Sequence, residues 1–406
     1  MRFPNITEIR PYEICIYGII IISLLGSYPY VFCQFLPLPP ISIIIVASIL
    51  LLFLVSIRFK SKLKPLPKIF NQIIIIQVLV WLIYCILHKD STYITRITYA
   101  FSCYLSLMCL HNCQNGILNF FKNYNKWILT MALGGTVAFF LILAGILHPI
   151  FQFCNIDGRN AYFFGLTCTN FYFGNVIRYS GFFDEPGAMA FWGIWALVFN
   201  KLFYKNTKFE LCLSFCLIFT LSLAYYIQFI IYIISFKVKS TKQILGIVLL
   251  FSSLVGIIFY SEDTDYDIYK YTLYRLEANS SGSINGDNRS DLMEISKKTF
   301  LQSPIIGVGA YNAIANMDYM GDNPYMNLAY DGILGTITLY LPLLSLWLFS
   351  NDNRDIRLSI IILFIGYLQR PISVFFITFF MLYAFFLLGL YDNMRRSDNK
   401  QRLQMN

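Results

Sequence analysis

The sequence predicts an all-α, polytopic integral membrane protein with about twelve transmembrane helices and two long outer loops. Three observations carry that expectation. The 406-residue chain is 57% hydrophobic and 13% charged, where a soluble globular protein carries about 25% charged residues. Long apolar runs recur from end to end, while the alternating segments of about ten residues that build outer-membrane barrels are absent. The short connections between runs hold most of the 31 lysines and arginines, the bias of cytoplasmic turns.

The runs lie near 14–33, 40–57, 69–87, 93–110, 127–148, 188–204, 209–222, 224–236, 243–260, 325–349, 358–370 and 372–391. The first follows a basic start, Met1 to Arg10, and lacks a small-residue cleavage site, so it reads as a retained helix. Residues 209–236 could form one long helix. Lys201, Lys205 and Lys208 precede that stretch, and Lys237, Lys239 and Lys242 follow it. Both flanks belong inside, so the chain must cross and return. Arg370-Pro371 divides 358–391 in the same way. The tail, with Arg395, Arg396, Lys400 and Arg402, then belongs inside, as does the N-terminus. The net charge of +9 is therefore a topology signal. Its scatter over short loops gives no basic patch for nucleic acid.

Within this single polytopic domain, 1–406, two outer segments are long: 149–187 and 261–324. Long loops in a compact protein are usually functional, so the chemistry is expected to face outward. The second loop is rich in acids, from Glu262 to Asp322. Of the ten cysteines, Cys154 and Cys168 fall in the first loop, where either a disulfide or free thiols fit the oxidising side. His88, His111 and His148 do not cluster, and the spacing offers no metal site. No phosphate-cradling glycine loop is present, so no nucleotide is implied. Internal repeats are absent and polar groups collect at the outer loops. Both features disfavour a transporter, which concentrates polar groups at mid-membrane.

The densest chemistry is Arg178-Tyr-Ser-Gly-Phe-Phe-Asp-Glu-Pro-Gly-Ala188, at the edge of the sixth run. Pro186 can open a helix, and Asp184 and Glu185 at its N-terminus would gain about 0.3–1 kcal/mol each from the helix dipole. They could simply cap it. Alternatively Arg178 binds an anion while one of the acids handles a proton. A second patch runs Gly286-Asp-Asn-Arg289-Ser-Asp291, Ser303-Pro-Ile-Ile-Gly307-Val-Gly309-Ala-Tyr311 and Asp322-Asn-Pro, ending at Asp331-Gly332-Ile-Leu-Gly335. Arg289 at the start of a helix opposes the dipole, so an anionic partner explains it better than the helix does. Arg370 reads either as a snorkelling interfacial arginine or as a further anion contact, Arg96 is a weaker candidate of that kind, and Arg159 reads as a solvated loop residue.

The first patch resembles the arginine–glycine–acid–proline motif of bacterial O-antigen polymerases (the Wzy type). Arg289, Ser303 to Gly309, Asp322-Asn323 and Gly332 to Gly335 are similar to the second-loop pattern shared by O-antigen polymerases and O-antigen ligases. The ligase pattern has a histidine where this chain has Asp322, which tilts the resemblance toward polymerase. It implies an enzyme of a bacterial inner membrane, with both termini cytoplasmic. The enzyme would join polyprenyl-diphosphate-linked oligosaccharide repeat units at the periplasmic face, without cofactor or metal. Its partners would be the lipid-linked donor and acceptor, membrane lipids, a chain-length regulator and a flippase. Glu185, Asp184 and Asp322, in that order, are the expected bases. Arg178, Arg289 and Arg370 suit the diphosphate, and Gly181, Tyr311 and Asn323 complete the expected substrate-binding set. Transfer of finished polymer to lipid A core, as by a ligase, is the alternative activity, and carriage of lipid-linked glycan is the alternative class.

Overall fold

In hydrocarbon a backbone N–H or C=O finds no solvent partner, so an apolar chain closes its hydrogen bonds within helices. A computed structural model describes residues 11–58, 63–155, 158–173, 176–238, 240, 290–316, 320–371 and 375–404. Its helices are α1 (Pro11–Leu25), α2 (Pro40–Arg58), α3 (Lys68–His88), α4 (Thr92–Asn112), α5 (Gly116–Leu143), α6 (Pro186–Phe199), α7 (Thr207–Ile218) and α8 (Leu223–Phe236). After the second loop come α9 (Ser290–Gln302), α10 (Ala310–Asn316), α11 (Met326–Phe349), α12 (Arg354–Gln369) and α13 (Phe376–Gln404). The expected run at 243–260, most of the second loop and Arg289 lie outside the described residues.

The molecule is mostly helical. Among the described residues five helices are long and apolar enough to cross a membrane: Pro40–Ile57, Lys68–His88, Gly116–Leu143, Met326–Phe349 and Phe376–Arg396. Pro11–Leu25 and Leu223–Phe236 are apolar but shorter. Helix α4 is not in that group, because it carries Arg96, Ser102 and Ser106, all buried against its neighbours. The 209–236 stretch does break in two. The chain ends α7 at Ile218, turns through Leu221 at φ +49°, and restarts α8 with the Ser222 hydroxyl accepting the Tyr225 N–H.

The first long loop departs from the expected all-α class. Strands β1 (Phe151–Cys154), β2 (Asn160–Phe163) and β3 (Cys168–Thr169) form an antiparallel sheet, and β4 (Tyr172–Phe173) pairs with β5 (Val176–Ile177). Aromatic and β-branched residues suit such a pleated surface. Cys154 and Cys168 are free thiols. β2 lies between their strands, which sets them about two strand spacings apart, beyond disulfide reach.

Helices α6 and α13 form the hub. From Ala188 to Phe199 every residue of α6 is buried, as is α13 from Phe376 to Leu388. Around them, helices such as α2 bury Ile44, Ala47 and Leu51 while exposing Ile45, Ile49 and Phe53, the pattern of a helix facing lipid. Interhelical polar contacts set the register. Gln77 of α3 donates to the Thr338 carbonyl of α11 at 2.7 Å and accepts from Tyr383 of α13 at 2.6 Å. Ser48 and Ser102 join α2 to α4 at 2.6 Å.

Helix α11 is interrupted at Gly332, whose φ of 63° and ψ of −170° only glycine adopts readily. The segment 304–309 crosses the break and satisfies it. The carbonyls of Pro304 and Ile305 accept from Ile333 and Leu334 at 2.9 and 3.0 Å, while Val308 and Gly309 donate to Ala329 and Tyr330 at 3.0 and 2.9 Å. The second-loop glycines of the sequence motif thus build a backbone strap across an opened helix.

Candidate functional site

The entry into α6 is held by the segment that follows α1. Val31 N–H donates to the Phe182 carbonyl at 3.0 Å and Asp184 N–H to the Pro29 carbonyl at 2.9 Å. The Tyr30 and Phe183 rings stack at 4.5 Å. Asn155 donates to the Asp184 carbonyl at 3.0 Å. These contacts fix the backbone on both sides of the two acids.

Glu185 occupies the N-cap position of α6 but makes no side-chain cap hydrogen bond. Its carboxylate instead binds Arg370, which follows the C-terminus of α12, and Arg159 at 3.0 Å. Asp184 accepts a hydrogen bond from the Tyr28 hydroxyl and lies 4.0 Å from the Arg370 guanidinium. Its second oxygen is buried with no partner among the described residues, as is Arg370 Nε. Asp322 adds to the negative field that keeps Arg370 charged. Gly187 leaves room for this grip, since a Cβ there would sit 2.6 Å from Arg370 Nη1.

The two adjacent acids are driven apart. Burial, aided by the Glu185 charge, outweighs Arg370 and pushes the Asp184 carboxyl up to about 7. Burial also pushes on Glu185, but Arg370 and Arg159 prevail and hold it well below the usual carboxylate range. The pair therefore offers one proton-handling group near neutral pH and one fixed anion.

The structure thus brings Asp184, Glu185 and Arg370 together, with Asp322 near enough for its charge to act on Arg370, and gives other expected residues different contacts. Arg178 lies over the Phe171 ring at 5.0 Å and donates to the Thr220 carbonyl at 3.4 Å. Gly181 is a turn residue at φ +60°, packed near Met131 and Met189. Asn323 is fully buried, its amide bonded to Ser296 and the Met320 carbonyl, both at 2.8 Å. Tyr311 is exposed and its N–H binds Asp90 at 2.7 Å.

Three pairings become visible only in the structure. Tyr28 lies in a turn with no motif to mark it. Arg159, read as solvated, is half exposed yet paired with Glu185. Asp331 forms a fully buried pair with Arg96 at 2.7 Å, accepts from Tyr93 at 3.0 Å, and has Trp81 and Tyr93 against the Arg96 guanidinium. Opposite charges inside two apolar runs were the available signal. His88, at the end of α3, also reaches the strap, with Nε2 3.1 Å from the Ile306 carbonyl.

Compared with protein-family models, characterised proteins and solved structures, the chain finds no match.

Proposed function

We propose that the protein is a polysaccharide polymerase, joining polyprenyl-diphosphate-linked oligosaccharide units at the outer face of a bacterial inner membrane. The carrying observation is the buried Tyr28–Asp184–Glu185–Arg370 cluster at the mouth of α6, built on the motif that resembles O-antigen polymerases. In this reading the chain crosses the membrane about twelve times with both termini inside, and the first loop and α9–α10 lie outside.

The step is a glycosyl transfer. A hydroxyl oxygen of the incoming unit bonds to the anomeric carbon of the growing chain, and the bond from that carbon to the lipid diphosphate breaks. The bonding electrons leave with the diphosphate, which Arg159 and Arg370 stabilise. Asp184 accepts the hydroxyl proton, because its carboxyl is tuned to neutral pH. Glu185, the stronger expectation from sequence, instead fixes the arginines as a permanent anion. Arg178 belongs to the loop surface beside this centre.

The ligase reading draws on one observation, the position of His88 against the second-loop strap. A deletion strain complemented with variants separates the two on a gel of surface polysaccharide. Retention of single-repeat glycan in the deletion strain supports polymerase, and loss of all attached glycan indicates ligase. Asp184→Asn and Arg370→Ala are expected to abolish the long-chain ladder at unchanged protein levels, with a smaller effect from Arg178→Ala. Wild-type ladders from the first two would sink the site.

A further inference from the structure

Among the described residues, one almost wholly apolar cleft lies directly below the acid–arginine cluster. It has a volume of about 220 Å³ and lies between α1 and α5, lined by Tyr17, Ile21, Leu24 and Leu25 on one side and by Phe120 and Trp127 on the other. From Tyr17 to Leu25 the groove follows α1 for about 12 Å at the helical rise of 1.5 Å per residue. Its outer wall is open, with Ile21 44% exposed. In a membrane such an opening faces hydrocarbon, so the groove admits a chain from the bilayer.

The position of its upper end says which chain. Tyr30, which lines the cleft, stacks on Phe183, and Trp127 stacks on Phe182 at 5.9 Å. Phe182 and Phe183 directly precede Asp184 and Glu185. One aromatic layer therefore separates the end of the groove from the acid–arginine cluster. A diphosphate held at Arg159 and Arg370 must send its hydrocarbon back toward the membrane, and this groove runs down α1 from that point.

We propose that the α1–α5 groove seats the first part of the polyprenyl chain of the lipid-linked substrate, next to its diphosphate. This rests on the polymerase reading for the identity of the headgroup, whereas the fit of hydrocarbon to the groove is independent of it. Seating the chain there orients the diphosphate toward Arg370 and gives preference for long isoprenoid donors over short ones.

Two measurements test this. In the first, a photoactivatable phenylalanine analogue replaces Ile21 or Leu25 in the full-length protein, and a radiolabelled C55 polyprenyl diphosphate is added in phospholipid vesicles. Labelling at both positions, competed by unlabelled C55 diphosphate, is expected. Capture of phospholipid acyl chains alone would overturn the proposal. In the second, repeat units on C55 and C5 diphosphates are compared as donors, the C5 chain being too short to pass the aromatic layer into the groove. Ile21→Trp fills the groove from its exposed side and should raise KM for the C55 donor at least tenfold, leaving kcat and the C5 donor nearly unchanged. Equal loss for both donors would overturn it, with Leu25→Trp as the second filling variant. If the wild type turns over neither donor but is labelled at Ile21 and Leu25, the groove stands and the polymerase reading fails.

Discussion

Arg370 shows how a single side chain turns an interfacial charge into part of a site. A snorkelling arginine would reach toward water, but Arg370 is 8% exposed and binds Glu185. Burial of this kind is stable only when the charge is paired. Gly187→Ala places a methyl group against Arg370 Nη1 in a helix that otherwise favours alanine. We expect near-normal melting in detergent and a loss of the proposed polymerase activity on the order of a hundredfold, the size typical of a removed electrostatic contact. Unchanged turnover would show that the grip on Glu185 is not needed. Asp184 predicts a pH dependence. As the proposed base, Asp184 must lose its proton to work, so kcat/KM should rise with pH through about 7. Arg370, Arg159, Glu185 and Tyr28 are the charged and titratable groups that bear on it. Tyr28 donates to the carboxylate and so lowers its proton affinity. Tyr28→Phe should therefore move the rising limb to higher pH, and a shift to lower pH would exclude Asp184 as the group observed. Asp184 and Glu185 were visible in the sequence as a pair, but their opposite tuning was not. It depends on Arg370, which stands 185 positions from Glu185 in the chain.

The interrupted helix α11 makes the same point for a secondary-structure element. A run of 24 residues with one Pro and four Gly/Thr positions reads as a single span, and its two ends agree with the expected 325–349 to within one residue. The break at Gly332 was unreadable because it depends on Ser303 to Gly309 arriving from another loop to satisfy the opened backbone. Next to the break, the Asp331 carboxylate pairs with Arg96 and accepts from the Tyr93 hydroxyl, while Tyr84 donates to the Asp331 backbone carbonyl. Asp331→Ala leaves Arg96 buried and unpaired, which should cost about 3–5 kcal/mol. The same change in an Arg96→Leu background should cost much less. Thermal unfolding of the four proteins in one detergent gives this cycle. Additive losses would show that the two charges stabilise the fold separately.

For the whole molecule the hub of α6 and α13 explains why the motif sits where it does. α6 is buried on all sides, so its first turn is a fixed point, and the acids there are aimed by the packing of Phe191, Trp192 and Trp195 below them. The first loop then folds over this point as two small sheets. The free thiols give a direct check on that arrangement. In variants retaining one cysteine, a membrane-impermeant maleimide added to spheroplasts should label Cys154, which is exposed, and spare Cys168, which is 1% exposed. Protection of Cys154 would place the first loop inside or under another segment.

Hydropathy and basic flanks alone establish a helical membrane protein, locate most helix ends to within a few residues, and separate α7 from α8. They succeed because desolvating a backbone or a charge is a local cost that each segment meets for itself. The short chemical motif likewise marks Asp184 and Glu185. Folding alone pairs Glu185 with Arg159 and Arg370, joins Tyr28 to Asp184, sets Arg178 apart and threads the strap through α11. Each of these depends on contacts between distant segments, whose energy comes from burying and pairing groups that no local pattern of residues records.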